Sequence, residues 1–221
     1  MTRTSLPIAV ALAASAGLLL TACGGGGSDS SDKIQSSDSG TPSATAPPTT
    51  APPTQPAGPG APKFNLPSDI KVNFDGFDNS DPTKKAALTD ATYAAQAVIE
   101  FESKVYTKEP ANFKRFWTGE HGAEFADSII SQGKDGSVVT GTFNYYKPVV
   151  KSIAAGNLQI QYCEDQRKAY GKDSKTGKVD VTTPSAQDFN LWTLVMAKDP
   201  SGEWQAFNHT WTQGAKQCQI A

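Results

Sequence analysis

The chain is poor in the side chains that carry most chemistry. Of its 221 residues, two are histidine, His121 and His209, three are cysteine and two are methionine. Two separated histidines do not supply the three or four ligands of a zinc site. Glu120-His121-Gly122-Ala123-Glu124 has no second His at the spacing of a zinc-protease helix. The Asp-rich stretches 75–81 and 173–180 do not repeat a 12-residue calcium loop and read as turns and caps. Gly133-Lys134-Asp135-Gly136-Ser137 fits neither a phosphate-cradling loop nor a dinucleotide fingerprint, and there is no Gly-x-Ser-x-Gly elbow. The expectation is therefore no metal, no cofactor and no dedicated catalytic motif. Charge of one sign is also missing. Twenty Lys and Arg face 22 Asp and Glu, so no basic face is available for a nucleic-acid partner. No internal repeat is present, and no apolar run reaches the ~20 residues of a membrane span.

What is present begins at the N-terminus. Arg3 precedes an uncharged Ala/Leu-rich stretch at 8–20, and Leu20-Thr21-Ala22-Cys23 ends it. This is the order of a secretory signal. The tetrad resembles the lipobox of bacterial lipoproteins. The resemblance implies removal of residues 1–22 and a diacylglyceryl thioether on Cys23, with palmitate-type acyl chains. The partner is then the cell membrane, held through a lipid anchor on its extracytoplasmic face. Each buried lipid CH₂ contributes about 0.8 kcal/mol, so two or more chains give a stable hold. Processing removes Arg3 and leaves a formal charge of −3, too near balance for electrostatic docking on anionic lipid.

Cysteine parity points the same way. Lipidation of Cys23 leaves Cys163 and Cys218 in an oxidising compartment, where they are expected to pair. The bridge would close a loop of about 56 residues and stabilise by roughly 4 kcal/mol in the chain-entropy model.

Residues 23–62 read as a disordered linker: Gly-rich, then Ser/Asp-rich, then almost wholly Thr, Pro, Ala and Gly. Its Pro-rich half would give a semi-stiff spacer of roughly 60 Å. Thr41, Thr45, Thr49, Thr50 and Thr54 are candidate acceptors of O-linked sugar. Residues 63–221 suffice for a single domain with a real core.

The domain's first half reads as helix. Asp81-Pro82 supplies a cap and a first-turn proline. Ala87, Ala91, Ala94, Val98, Phe101 and Val105 then recur at helical spacing, which predicts a helix to about residue 107. Phe113, Phe116 and Trp117 suggest one further turn. Thr118 is placed to cap a helix over 119–131, with Phe125, Ile129 and Ile130 inward and Gly133 ending it. The second half reads as strands at 137–146, 149–154, 158–163, 189–197 and 204–211. Pro148 marks a bend, Ala155-Gly156-Asn157 a hairpin turn, and Asp199-Pro200-Ser201-Gly202 a type I turn. Helices followed by an antiparallel sheet define an α+β domain.

This order resembles the nuclear-transport-factor-two-like, cystatin-like cone fold, in a variant similar to actinobacterial secreted lipoproteins. The resemblance is carried by the lipobox, the Thr/Pro spacer, Tyr162-Cys163-Glu164-Asp165-Gln166, Lys168-Ala169-Tyr170 and Gly214-Ala215-Lys216-Gln217-Cys218. It implies helices packed on a bent antiparallel sheet. Enzymes of the wider fold carry acid/base His and Asp residues inside the cone; no matching motif occurs here, and no catalytic residue is carried over.

Strand 189–197 is apolar on both faces. Phe189, Leu191 and Val195 alternate with Trp192, Leu194 and Met196. Either both faces are covered or one lines a hollow. The candidate pocket is accordingly Trp192, Leu194 and Met196 with Phe207, His209 and Trp211 of the last strand. His209 would orient a ligand there, or act as an acid/base near pH 7. The leading expectation is a non-catalytic binding module for a small ligand or an envelope protein. The alternatives are a cyclase- or isomerase-like enzyme using His209, and a purely structural envelope protein.

Overall fold

The computed structural model describes residues 60–220, all within one compact unit. The signal segment 1–22, Cys23 and nearly all of the expected linker lie outside the described residues. The chain runs β1 (Ile70–Phe74), α1 (Pro82–Glu102), α2 (Ala111–Phe116), α3 (Gly119–Gly133), β2 (Ser137–Ser152), β3 (Leu158–Asp173), β4 (Val179–Asp180), β5 (Phe189–Lys198) and β6 (Trp204–Gln213). Strand order in the sheet is β1-β2-β3-β5-β6, with β4 paired to β3. Helices pack against one face of this curved sheet, so the domain is α+β, as expected.

Helix α1 starts where Asp81 caps it. Its Oδ1 accepts from the Thr83 and Lys84 amides at 2.8 and 3.0 Å, satisfying two of the orphan donors of the first turn. Ala87, Ala91, Ala94, Val98 and Phe101 form the buried stripe. The small side chains let α1 lie close on the sheet. The helix stops five residues earlier than periodicity predicts. Ser103 takes the C-cap position, its Oγ donating to Glu100 O at 2.7 Å, and Val105 falls outside the helix, 49% exposed. Thr118 occupies the N-cap of α3 without a side-chain cap bond; its amide donates instead to Ala206 O at 3.0 Å, tying α3 to β6.

The sheet departs from expectation in three ways. First, it is mixed: β1, which carries no strong period, pairs parallel to β2, with Ile70 opposite Gly141. On the other side of β2, a Cβ on Gly141 would meet Lys168 O of β3 at 2.2 Å, so the close approach of β2 to β3 there requires glycine. Second, 137–146 and 149–154 are one strand. Pro148 sits in an irregularity between Tyr146 and Val149, where proline's missing N–H breaks no ladder bond. Third, β3 runs on to Asp173, although a break was expected after Cys163.

Two clusters fill the two faces. The main core packs Phe101, Phe113, Phe116 and Trp117 of the helices on Phe143, Tyr145, Ile160, Tyr162, Leu194, Met196, Trp204 and Ala206 of the sheet. A smaller cluster on the opposite face contains Tyr146, Cys163, Phe189, Ala215 and Cys218. Cys163 and Cys218 form the disulfide (Cα–Cα 5.3 Å). The tail after β6 folds back, the Ala215 amide donating to Phe189 O at 3.0 Å and Tyr146 Oη donating to Cys218 O. The two-sided apolarity of β5 is thus explained: one face meets the helices, and Phe189 and Leu191 on the other are covered by the bridged tail.

The bridge is the tail's main constraint. A Cys163→Ser/Cys218→Ser chain should lose roughly 2–4 kcal/mol of unfolding free energy, read as a lower urea midpoint. The deficit should exceed that of Gln219→Ala, which removes only a long exposed tail contact.

Candidate functional site

On the inner face of the sheet, side chains form rows across the strands. Leu158, Met196 and Ala206 make one row, Ile160, Leu194 and His209 the next, Tyr162, Trp192 and Trp211 the third, and Tyr145, Glu164, Asn190 and Gln213 the fourth. The helices seal the first row and most of the second: Leu194 and Met196 are fully buried. The later rows open beneath α3 into a cavity of about 660 Å³, lined by Glu102 of α1, His121, Glu124, Phe125, Ser128 and Gln132 of α3, Val139 of β2, Gln166 of β3, and Asn190, Trp192, His209, Trp211 and Gln213 of β5 and β6.

The six residues proposed as a pocket therefore separate. Trp192, His209 and Trp211 line the cavity. Leu194 and Met196 belong to the closed core. Phe207 leaves the row because of a bulge: Val195 pairs with Asn208 but Met196 with Ala206, so Phe207 is the extra residue on β6 and lies beside Gly119. Strict alternation from His209 back to Phe207 fails at that point.

The aromatic wall is continuous. The His209 ring lies 5.1 Å from Trp117, 4.5 Å from Phe125 and 6.2 Å from Trp192, and Trp192 lies 6.4 Å from Trp211. Trp211 is half exposed at the mouth. Burial holds His209 below the usual imidazole range; His121 adds to this and Glu124 opposes it. His121 Nδ1 sits 3.2 Å from Glu124 Oε2 on the exposed turn of α3.

The polar end of the site was not anticipated. Glu164, 1% exposed, accepts from Tyr145 Oη at 2.7 Å, Asn190 Nδ2 at 3.1 Å and Trp192 Nε1 at 2.8 Å. All three partners are neutral. Glu102, the last residue of α1, approaches the same region. Burial, and then repulsion from Glu164, raises its carboxyl to about 8. The helix C-terminus is also unfavourable for negative charge. Asn190 Oδ1 and His209 Nδ1 are buried without a hydrogen-bond partner among the described residues. A sequence signal for Glu164 did exist, since an acidic residue two positions after Tyr162 on a strand shares its face. Glu102 carried none. Among the described residues, no three His, Cys, Asp or Glu side chains converge as a metal site.

No family model and no curated protein sequence matches the chain. Two solved structures that it resembles are a ketosteroid isomerase-like protein from Shewanella frigidimarina NCIMB 400 and the intermembrane space region of the chloroplast protein ARC6. The first aligns at 16% identity and a TM-score of 0.33 over 63% of this chain and 99% of that one. The second aligns at 15% and 0.36 over 57% and 96%. At these values neither alignment carries a function to this chain.

Glu102 predicts a pH signature. A carboxyl whose native pKa lies above its unfolded value costs nothing below the ordinary 4.5 and destabilises progressively as pH rises towards 8. Glu102→Gln should therefore gain stability over wild type across that window, by up to roughly 4 kcal/mol. Urea midpoints at pH 5 and pH 8 measure it; an equal gap at both would refute the assignment.

Proposed function

We propose that the protein is a lipid-anchored, extracytoplasmic binding module that takes a small amphipathic ligand in the cavity on the inner face of its sheet. The observation that carries this reading is the cavity's make-up. It combines a volume typical of ligand sites, about 300–1,000 Å³, with aromatic walls (Phe125, Trp192, Trp211) and a polar end formed by Glu102, Gln166, Asn190 and Gln213. A site of this kind buries an apolar body and satisfies a few polar atoms at one end. The lipobox and the Pro-rich spacer support display of that mouth away from a membrane surface.

A second reading has one specific support. His209, held below its ordinary range, and Glu102, raised to about 8, line one cavity with values displaced to either side of neutrality. Such a pair suits proton transfer. It would make the module a cone-fold enzyme in which His209 serves as the base.

Two measurements test these readings. In a tryptophan-fluorescence and calorimetric screen of cavity-sized amphipathic molecules, wild type should bind members at micromolar affinity. Ser128→Trp, which fills the cavity from its exposed side, should weaken them at least tenfold with little change in melting temperature. Binding unaffected by that variant would place the ligand elsewhere. His209→Ala should retain binding if the module is non-catalytic, whereas loss of turnover with retained binding would favour the enzyme. For the anchor, Cys23→Ser should move the chain from the membrane fraction to the soluble extracytoplasmic fraction and abolish incorporation of labelled palmitate.

A further inference from the structure

The cavity's charged side chains share one sign where they are fixed. Its wall contains Glu102 and Glu124, and no lysine or arginine lines it among the described residues. Directly behind stands Glu164, buried and held only by neutral donors. None of these carboxyls forms an ion pair with Lys or Arg among the described residues, although the chain makes such pairs elsewhere, as at Arg115–Glu203 and Arg167–Asp165. Lys104, two residues beyond the end of α1, donates to Asn65 O at 2.8 Å.

A second feature is independent of the charges. Asn190 is 5% exposed, lines the cavity and uses Nδ2 on Glu164, which leaves Oδ1 as an acceptor with no donor. Buried acceptors without partners are rare and costly. The Asn190 carbonyl dipole adds negative potential to that wall without itself being open to a ligand. The aromatic faces of Trp192, Trp211 and Phe125 complete an environment that attracts a cation through ring quadrupoles.

Resting on the binding-module reading, we propose that the cavity's ligand is an amphipathic amine, its ammonium seated at the wall made by Glu102, Glu124 and Asn190 and its apolar body against Trp192, Trp211 and Phe125. The ammonium donates to the Glu102 carboxylate. Binding therefore has a proton balance. Near pH 7 Glu102 is mainly protonated in the empty site. Pairing with the ammonium favours its ionised form, so the carboxyl proton leaves to solvent as the ion pair forms. The titratable groups facing Glu102 are Tyr145 of β2, Tyr162 and Glu164 of β3, His121 and Glu124 of α3, and His209 of β6. The tyrosines are held neutral well above their usual range, and the proton release is assigned to Glu102, the carboxyl that the ammonium pairs with.

The test uses the full chain with two probes of equal shape, β-naphthylethylamine and β-naphthylethanol, titrated by calorimetry at pH 7 in phosphate and in Tris. The amine should bind at least tenfold more tightly than the alcohol. The buffer difference should report release of about one proton in wild type and none in Glu102→Gln. That variant should keep no more than the two- to threefold preference for the amine that Glu124 supplies, and a wild-type near-ultraviolet circular dichroism spectrum checks its fold. Glu124→Gln, on the exposed turn of α3, should lose two- to threefold on the amine alone. Equal binding of both probes by wild type, with loss in Ser128→Trp, would overturn the amine assignment and leave the binding module standing. No heat and no tryptophan response with either probe would overturn both.

Discussion

A buried carboxyl on a central strand is tolerable only when its oxygens are satisfied, and Glu164 sets that requirement for the sheet. Its donors come from β2 (Tyr145) and β5 (Asn190 and Trp192), the strands on either side of β3 at Glu164. Three strands are thereby held in one register at the polar end, because a one-residue slip would turn the partners to the other face. The same bonds fix the Trp192 indole in the cavity wall and leave Asn190 Oδ1 free. Phe74 stacks on Tyr145 at 5.0 Å, which extends the ordered row to the parallel edge strand.

The cavity follows from how far the helices reach. Helix α1 ends at Glu102 and α3 lies over β6, so the rows carrying Leu158, Ile160, Leu194 and Met196 are sealed and the rows carrying Trp192 and Glu164 are not. The last residue of α1, Glu102, lines the hollow, while Val105 lies beyond the helix and is exposed. On the other face the sheet needs no helix, since the bridged tail covers Phe189 and Leu191.

Legibility varied with the range of the interaction. Helix α1 announced itself through Asp81-Pro82 and a stripe of alanines, because capping and periodicity are local. Strands β5 and β6 and their turn were equally plain. Strand β1 was not: it is short, pairs parallel to a strand more than sixty residues away, and carries no strong period of its own. In the site, Trp192, His209 and Trp211 were readable from alternation. Leu194 and Met196 shared that alternation but lie under the helices, and Phe207 was displaced by a bulge that adds one residue without a composition signal.

The amino-acid sequence alone settled the α+β class, the capped first helix and the cysteine pairing, since each depends on local pattern or on parity of reactive groups. Only the folded chain decided which part of the inner face is hollow and that Glu102 meets Glu164. Both depend on where separate elements end relative to one another, and packing across long sequence separations is not encoded in any single stretch.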